Sequence, residues 1–262
     1  MRRIGSGRRG RADGSADAAE LNEPQGLCLL PGPVAGYDLV VADTVNHLLR
    51  GIRLADGMVT TVAGSGRPWR STVDGHPHDA LAADLSSPWD LAWYDDLVIV
   101  AMSGIHQLWW FDPVKRTVGV YAGTTVEALK DGPLVEAWLA QPSGLSTVDG
   151  RGRLWIVDSE SSALRFVADG TLHTAVGQGL FNFGHVDGPA TEALFQHPLG
   201  VLALPDGSVL VADTYNGAIR RYADGAVGTI ATGLAEPSDL VLAPDAASRG
   251  HWPDLGRSVP GA

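Results

Sequence analysis

Cysteine is nearly absent from this chain: its 262 residues include one, Cys28. An intrachain disulfide is therefore impossible, and there is no Cys-x-x-Cys redox pair. Cys28 lies at an apolar strand start, where a thiol serves as core filler rather than as a nucleophile. No apolar run reaches the 18 residues that a membrane-spanning helix needs. Positive charge is scarce as well. The chain has 19 Lys and Arg against 30 Asp and Glu, a formal net charge of −11. That balance argues against nucleic acid and anionic membranes as partners. The one basic stretch, Arg2, Arg3, Arg8, Arg9 and Arg11, is short and Gly-rich and reads as a loop arm. Arg2-Arg3 is not an export signal, because no apolar run follows it. A cytoplasmic location is the expectation.

The vocabulary of catalysis is missing too. No Gly-x-Ser-x-Gly, His-Glu-x-x-His or phosphate-cradling Gly-Lys-Ser/Thr occurs. Gly5-Ser6-Gly7 and Gly64-Ser65-Gly66 resemble nucleotide loops only in composition, since they leave strands without entering helices.

What the chain has instead is a long-period repeat. Val41-Ala42-Asp43-Thr44-Val45-Asn46-His47-Leu48-Leu49-Arg50 recurs as Val211-Ala212-Asp213-Thr214-Tyr215-Asn216-Gly217-Ala218-Ile219-Arg220. Val157-Asp158 through Arg165 keeps the Asp and the Arg seven residues later, and Val100-Ala101-Met102 through Trp109 is a degenerate copy. Each unit opens on a proline, at Pro24, Pro88, Pro142, Pro198 and Pro237, in steps of 64, 54, 56 and 39 residues. Each closes on an apolar strand ending in Gly, at Gly64, Gly123, Gly177 and Gly233. Asp-Gly connectors precede the next proline; Asp13, Asp131 and Asp187 lie 11 residues before it and Asp74 lies 14 before.

Short β-branched runs such as Leu39 to Ala42 and Leu154 to Val157 alternate with turn residues. Asp-Thr-x-Asn-His predicts a tight turn, because Asp and Asn side chains satisfy local backbone groups and tolerate unusual φ. Four antiparallel strands per unit of this length predict a propeller blade. In the connectors, Leu134 to Ala140 and Ala190 to Phe195 predict an added helical turn, with Asp131 and Asp187 as N-caps.

These landmarks resemble NHL-repeat β-propellers. The residues that carry the resemblance are Val41 to Arg50, Ser87 to Asp90, Ala101 to Trp109, Gln141 to Leu145, Val157 to Ser162 and Gln196 to Val201, and they span most of residues 1–244. The wording of each blade is most similar to family members in which a thioredoxin-like domain precedes six blades. Such a domain is not expected within these 262 residues, because its redox motif needs Cys-x-x-Cys and the chain has one cysteine. The resemblance implies an all-β fragment of a six-bladed ring, with four complete blades and partial blades at both ends. Ile4 to Gly7 reads as the closing strand of an earlier blade, and Leu234 to Ala243 as the opening strand of a later one. If the ring closes, the two ends should meet at a seam. The expected organisation is a partial propeller over 1–244 and an irregular tail over 245–262.

The repeat also compares sites with one another. Asp43 keeps register with Arg50, Asp158 with Arg165 and Asp213 with Arg220, whereas Met102 and Trp109 replace both partners together. Joint loss predicts that the two side chains meet across the hairpin as a structural pair. His47 and His106 share one repeat position. A lyase branch of NHL propellers uses His-rich zinc sites, but a usual zinc site wants at least three protein ligands, and Ser162 and Gly217 occupy that position in the other units. No metal and no cofactor are expected. The aromatic load of the second unit, Trp89, Trp93, Tyr94, Trp109, Trp110, Phe111 and Tyr121, predicts packing between blades. Gln25, Trp89, Asp90, Ser143 and Asp239 follow the repeat prolines and predict the mouth of the axial channel, the candidate binding site.

The expectation for function is a non-catalytic binding or scaffold module for an unidentified protein or small-molecule partner. The resemblance links such a module to redox or stress biology. The alternatives are a propeller lyase or hydrolase with a channel-mouth site, and a non-functional gene fragment.

Overall fold

The computed structural model describes residues 3–69, 74–146 and 151–242. The tail expected at 245–262 lies outside the described residues. Four antiparallel sheets follow one another along the chain. The first contains β1 (Pro24–Val34), β2 (Tyr37–Asp43), β3 (Leu48–Arg53) and β4 (Met58–Ala63). The second contains β5 (His78–Asp79), β6 (Pro88–Tyr94), β7 (Leu97–Met102), β8 (Gln107–Asp112) and β9 (Thr117–Ala122). The third contains β10 (Gly132–Pro133), β11 (Pro142–Ser146), β12 (Leu154–Asp158), β13 (Ala163–Ala168) and β14 (Thr171–Val176). The fourth contains β15 (Gly188–Pro189), β16 (Gly200–Ala203), β17 (Val209–Asp213), β18 (Ala218–Ala223) and β19 (Ala226–Ala231).

Within each sheet the four long strands pair in chain order, and the inner strands β1, β6, β11 and β16 lie side by side in succession around the axis. This is a β-propeller arrangement. The connectors add what the repeat did not announce. The short strands β5, β10 and β15 pair with the outside of β9, β14 and β19, and the bridge Gly14–Val59 does the same for the first sheet. No strand forms among residues 3–23 or 232–242. A lone strand without a sheet to join has little to hold it. Residues 3–7 bond back to Ala16 and Ala19, and among the described residues no backbone hydrogen bond joins them to 234–242.

Apolar side chains fill the spaces between sheets. Leu30, Val40 and Leu49 of the first sheet meet Leu91, Val100 and Trp109 of the second. Ile99 and Leu108 meet Leu145, Leu154 and Ile156. Trp155 and Val157 meet Phe195, Val201 and Val211. Fully burying each such Val, Leu or Ile contributes about 1.5–3 kcal/mol. The aromatics of the second unit lie in or against these layers. Trp109 and Phe111 are fully buried, while Trp89, Trp93, Tyr94, Trp110 and Tyr121 pack from the edges.

The Asp–Arg pairs meet. Asp43 Oδ2 lies 2.7 Å from Arg50, Asp158 Oδ2 3.4 Å from Arg165, and Asp213 Oδ2 2.7 Å from Arg220, with all six side chains fully buried. Each Arg has a second carboxylate, because Asp13 and Asp131 approach Arg50 and Arg165 at 2.7 and 3.0 Å, and Asp187 approaches Arg220. These are the connector aspartates. Asp131 and Asp187 are therefore not N-caps, and their connectors form single hydrogen-bonded turns rather than helices. Their carboxylates bond to Thr174 and Thr229 on the closing strands as well as to Arg165 and Arg220. Burial pushes both acids up, but these bonds outweigh it and hold them below the usual carboxylate range.

One clamp thus ties the second, third and closing strands of a blade to its connector. The inner carboxylate is satisfied on both oxygens. Asp43 Oδ1 accepts from the Asn22 amide at 2.7 Å, and Oδ2 accepts from Asn46 and Arg50. In the second blade the same space holds Met102 and Trp109, both buried, with the indole N–H donating to Gln107 Oε1 at 2.9 Å.

Breaking a clamp should be costly, and replacing it with apolar volume should not. We expect Asp158→Ala to destabilise by about 3 kcal/mol, because Asp131 only partly compensates the buried Arg165. The double variant Asp158→Met with Arg165→Trp, which copies the second blade, should cost less than the sum of its single changes. Urea unfolding of the three variants measures both.

Candidate functional site at the axial mouth

The hairpin phrase makes a 3-10 turn at Thr44–Asn46, Ser103–Ile105 and Thr214–Asn216. The residue that takes positive φ is the one after it. His47, His106 and Gly217 adopt φ of 54, 56 and 57°. The Asn side chain is occupied elsewhere: Asn46 and Asn216 donate to Asp43 and Asp213 and to the carbonyls of Gly10 and Gly184.

The remaining groups of the turn reach the next blade. Thr44, Ser103 and Thr214 hydroxyls donate to the carbonyls of Pro88, Pro142 and Pro237 at 2.7, 2.6 and 2.9 Å. Ser87 and Gln141 amides donate to His47 and His106 Nδ1, both at 3.1 Å, and the His197 amide donates to Ser162 Oγ at 3.2 Å. The two shared-register histidines therefore present an unprotonated Nδ1 to a neighbouring blade. Burial lowers the His47 pKa, in keeping with a neutral ring. Glu23, Ser87, Gln141, His197 and Glu236, each just before a repeat proline, all take positive φ between 46 and 59°. Such a conformation costs a non-Gly residue about 1–2 kcal/mol, and these cross-blade bonds offset it where they form.

These turns deliver the inner strands to the axis. There the chains come so close that a Cβ on Gly26 would lie 2.6 Å from Asp90 Cα, and one on Gly200 would lie 2.7 Å from Asp239 Cα. Asp90 stands where other blades have Gly. Its Oδ1 accepts from the Leu91 amide at 2.8 Å, and Oδ2 accepts from the Leu145 amide of the next inner strand at 2.7 Å. Burial pushes Asp90 up to about 7; the two amide bonds oppose the shift and the charge of Asp239 adds to it. Asp239 repeats the local bond, accepting from Leu240 at 2.7 Å.

A recess of about 100 Å³ is lined by Gln25, Gly26, Trp89, Asp90, Leu199, Ser238 and Asp239. It shares Trp89, Leu199 and Ser238 with a wider cleft of about 400 Å³. Four of the five residues read as the channel mouth thus line the recess, and Ser143 lines the cleft, where it is buried and donates to the Gln141 carbonyl. Residues that the sequence reading missed also line the cleft: Gln141, His197, Tyr215 and Glu236. The His197 ring stacks on Tyr215 at 4.4 Å and faces Glu160 at 3.6 Å. The signal for three of them was available, because Gln141, His197 and Glu236 each precede a repeat proline. Cys28 lies within β1, buried, its thiol pushed up to about 12 chiefly by burial, a poor nucleophile.

The raised pKa of Asp90 gives a signed test. Asp90 binds its proton more tightly folded than unfolded. Its contribution is complete below about pH 4 and is lost as pH rises to about 7. His47 and His197 are shifted down by burial, so they oppose this trend through the same range in any variant. The stability of the wild type relative to Asp90→Asn should therefore fall between pH 5 and pH 8, with the histidine effects cancelling. Urea unfolding of both proteins at the two pH values measures it, and a constant difference would contradict the assignment.

No family model matches the chain. Relatives do. Protein SUPPRESSOR OF QUENCHING 1, chloroplastic, from Arabidopsis thaliana is 36% identical over 227 residues, covering 82% of this chain and 21% of that protein. NHL repeat-containing protein 2 from Gallus gallus is 35% identical over 270 residues, covering 91% and 36%. The Homo sapiens protein of the same name is 35% identical over 247 residues, covering 83% and 33%. The chain therefore spans between a fifth and just over a third of the length of these curated relatives. Among solved structures, a streptogramin B lyase superposes with a TM-score of 0.55 at 11% identity, covering 87% of this chain and 61% of that one. Virginiamycin B lyase from Staphylococcus aureus does so with 0.51 at 13%, covering 84% and 61%. Those likenesses bear on the fold alone. Among the described residues no helix is long and apolar enough to cross a membrane. Repeat wording, sheet order and homology together make this chain an NHL-repeat β-propeller segment, homologous to part of NHL repeat-containing protein 2.

Proposed function

We propose that the chain is a binding module without chemistry of its own, and that its axial mouth is where a partner is recognised. The observation that carries this reading is the fate of the recurrent polar groups. Asp, Asn, Thr, Arg and the two register-matched histidines of the hairpin phrase are occupied within a blade or between neighbouring blades. Catalysis needs a nucleophile, a base and a charge stabiliser converging on one pocket. Here the polar groups circle the axis instead of converging. The candidates for recognition are the side chains that line the mouth: Gln25, Trp89, Asp90, Ser143 and Asp239, joined by Tyr215 and Glu236. Trp and Tyr are enriched in binding hot spots.

The family resemblance supplies the biological setting of the proposal. A propeller of this kind accompanies a thioredoxin-like domain, so a redox or stress-related complex is the natural context. A reducing compartment such as the cytoplasm suits a chain whose single thiol is buried.

The test is binding of the thioredoxin-like domain of a homologue, followed by the amide and indole NMR signals of the labelled propeller. Shifts confined to Trp89, Ser143, Tyr215 and Asp239, and lost in Trp89→Ala, are the expected result. Ester or lactone turnover by the purified chain, abolished by His197→Ala, would contradict it and favour a channel-mouth hydrolase or lyase.

A further inference from the structure

The shape and charge of the mouth narrow the partner's chemistry. Resting on the recognition reading above, we propose that the axial recess receives a single Lys or Arg side chain presented by a protein partner.

The recess of about 100 Å³ and the cleft of about 400 Å³ share Trp89, Leu199 and Ser238 in their linings. An indole and a leucine in a shared lining suit an aliphatic stem, the part of Lys and Arg that packs against apolar surface while the head stays polar. The recess lining also includes Asp90 and Asp239, and the cleft lining includes Tyr215 and Glu236. An indole also attracts a cation through its quadrupole.

The second argument is a contrast within this molecule. Three fully buried carboxylates, Asp43, Asp158 and Asp213, and the three half-exposed connector acids Asp13, Asp131 and Asp187 all have an Arg within 3.4 Å. Asp90 and Asp239 line a recess whose lining contains no Lys or Arg, and neither does the lining of the adjoining cleft. Asp90 is held by two backbone amides, and Asp239 by one on Oδ1, which leaves its Oδ2 without a hydrogen bond among the described residues. A guanidinium or ammonium entering the recess would supply the charge partner that every clamp carboxylate already has, and Arg would do so with the more directional donor set.

The test is an NMR titration of the full chain at low salt with four short blocked peptides. They have the form acetyl-Gly-X-Gly-amide, with X as Arg, Lys, norleucine or Glu. We expect the Arg and Lys peptides to shift the Trp89 indole and Asp239 amide signals, and to bind at least about tenfold more tightly than the norleucine peptide. The Glu peptide should bind weakest of the four. Asp239→Asn, a change at an exposed residue, should remove most of the preference for Arg and Lys and leave the amide spectrum of the sheets unchanged. Raising the salt concentration should weaken Arg and Lys binding alone. Equal binding of all four peptides, lost in Trp89→Ala, would overturn the cation proposal while leaving the mouth as a binding site. Binding of none of the four, or a preference for Arg and Lys that survives Asp239→Asn, would also overturn it.

Discussion

A guanidinium with no exposed surface, held between one buried and one half-exposed carboxylate, is the interaction on which the first, third and fourth blades depend. A buried cation of this kind is tolerable only when its hydrogen bonds are nearly complete. Arg220 meets that demand most fully, with bonds to Asp213, Asp187 and the carbonyls of Val186 and Leu194. Arg50 and Arg165 leave only Nε without a partner. Because the partners come from the second strand and the connector, while the outer carboxylate also holds the closing strand, the clamp fixes where the connector crosses the sheet. That placement positions the next proline, and hence the next inner strand. The second blade reaches the same geometry with Met102, Trp109 and Gln107, so the site tolerates either a complete ion cluster or a packed apolar substitute.

The turn that carries the inner carboxylate also governs the relation between blades. Its hydroxyl and its left-handed residue reach the backbone on either side of the next repeat proline, and so one ten-residue phrase builds both a hairpin and a junction. This economy has a functional consequence. The recurrent residues of the hairpin phrase are committed to building the ring, and recognition falls to the residues that line the mouth. Asp90 shows the change of use. Where most inner strands need Gly to pass their neighbours, Asp90 and Asp239 stand at the axis, and burial pushes the Asp90 carboxyl up.

Much of this was legible in the sequence because a repeat offers internal comparison. The shared register of Asp158 with Arg165, and the replacement of both partners together by Met102 and Trp109 in the second unit, mark a contact in the sequence itself. The outer carboxylate escaped because Asp131 lies 34 residues from Arg165 and 43 from Thr174, a separation that local spacing cannot interpret. Read locally, the same aspartate looked like a helix cap. The role of His47 was hidden for a similar reason, since the amide it accepts belongs to Ser87 in the following blade. The mouth was legible only as positions after each proline. The positions before it, Gln141, His197 and Glu236, recur just as regularly, but only the folded cavity shows that they line the cleft.

The most direct measurement of the central claim is native-state hydrogen exchange at the amides of Asn22, Ala140 and Gln196, which donate to the inner carboxylates of the three clamps. If the clamps hold connector and hairpin as one unit, these loop amides should exchange only with global unfolding, with protection matching that of the central strands β3, β13 and β18. Exchange at the rate of ordinary surface loops, through local opening that leaves those strands protected, would contradict it.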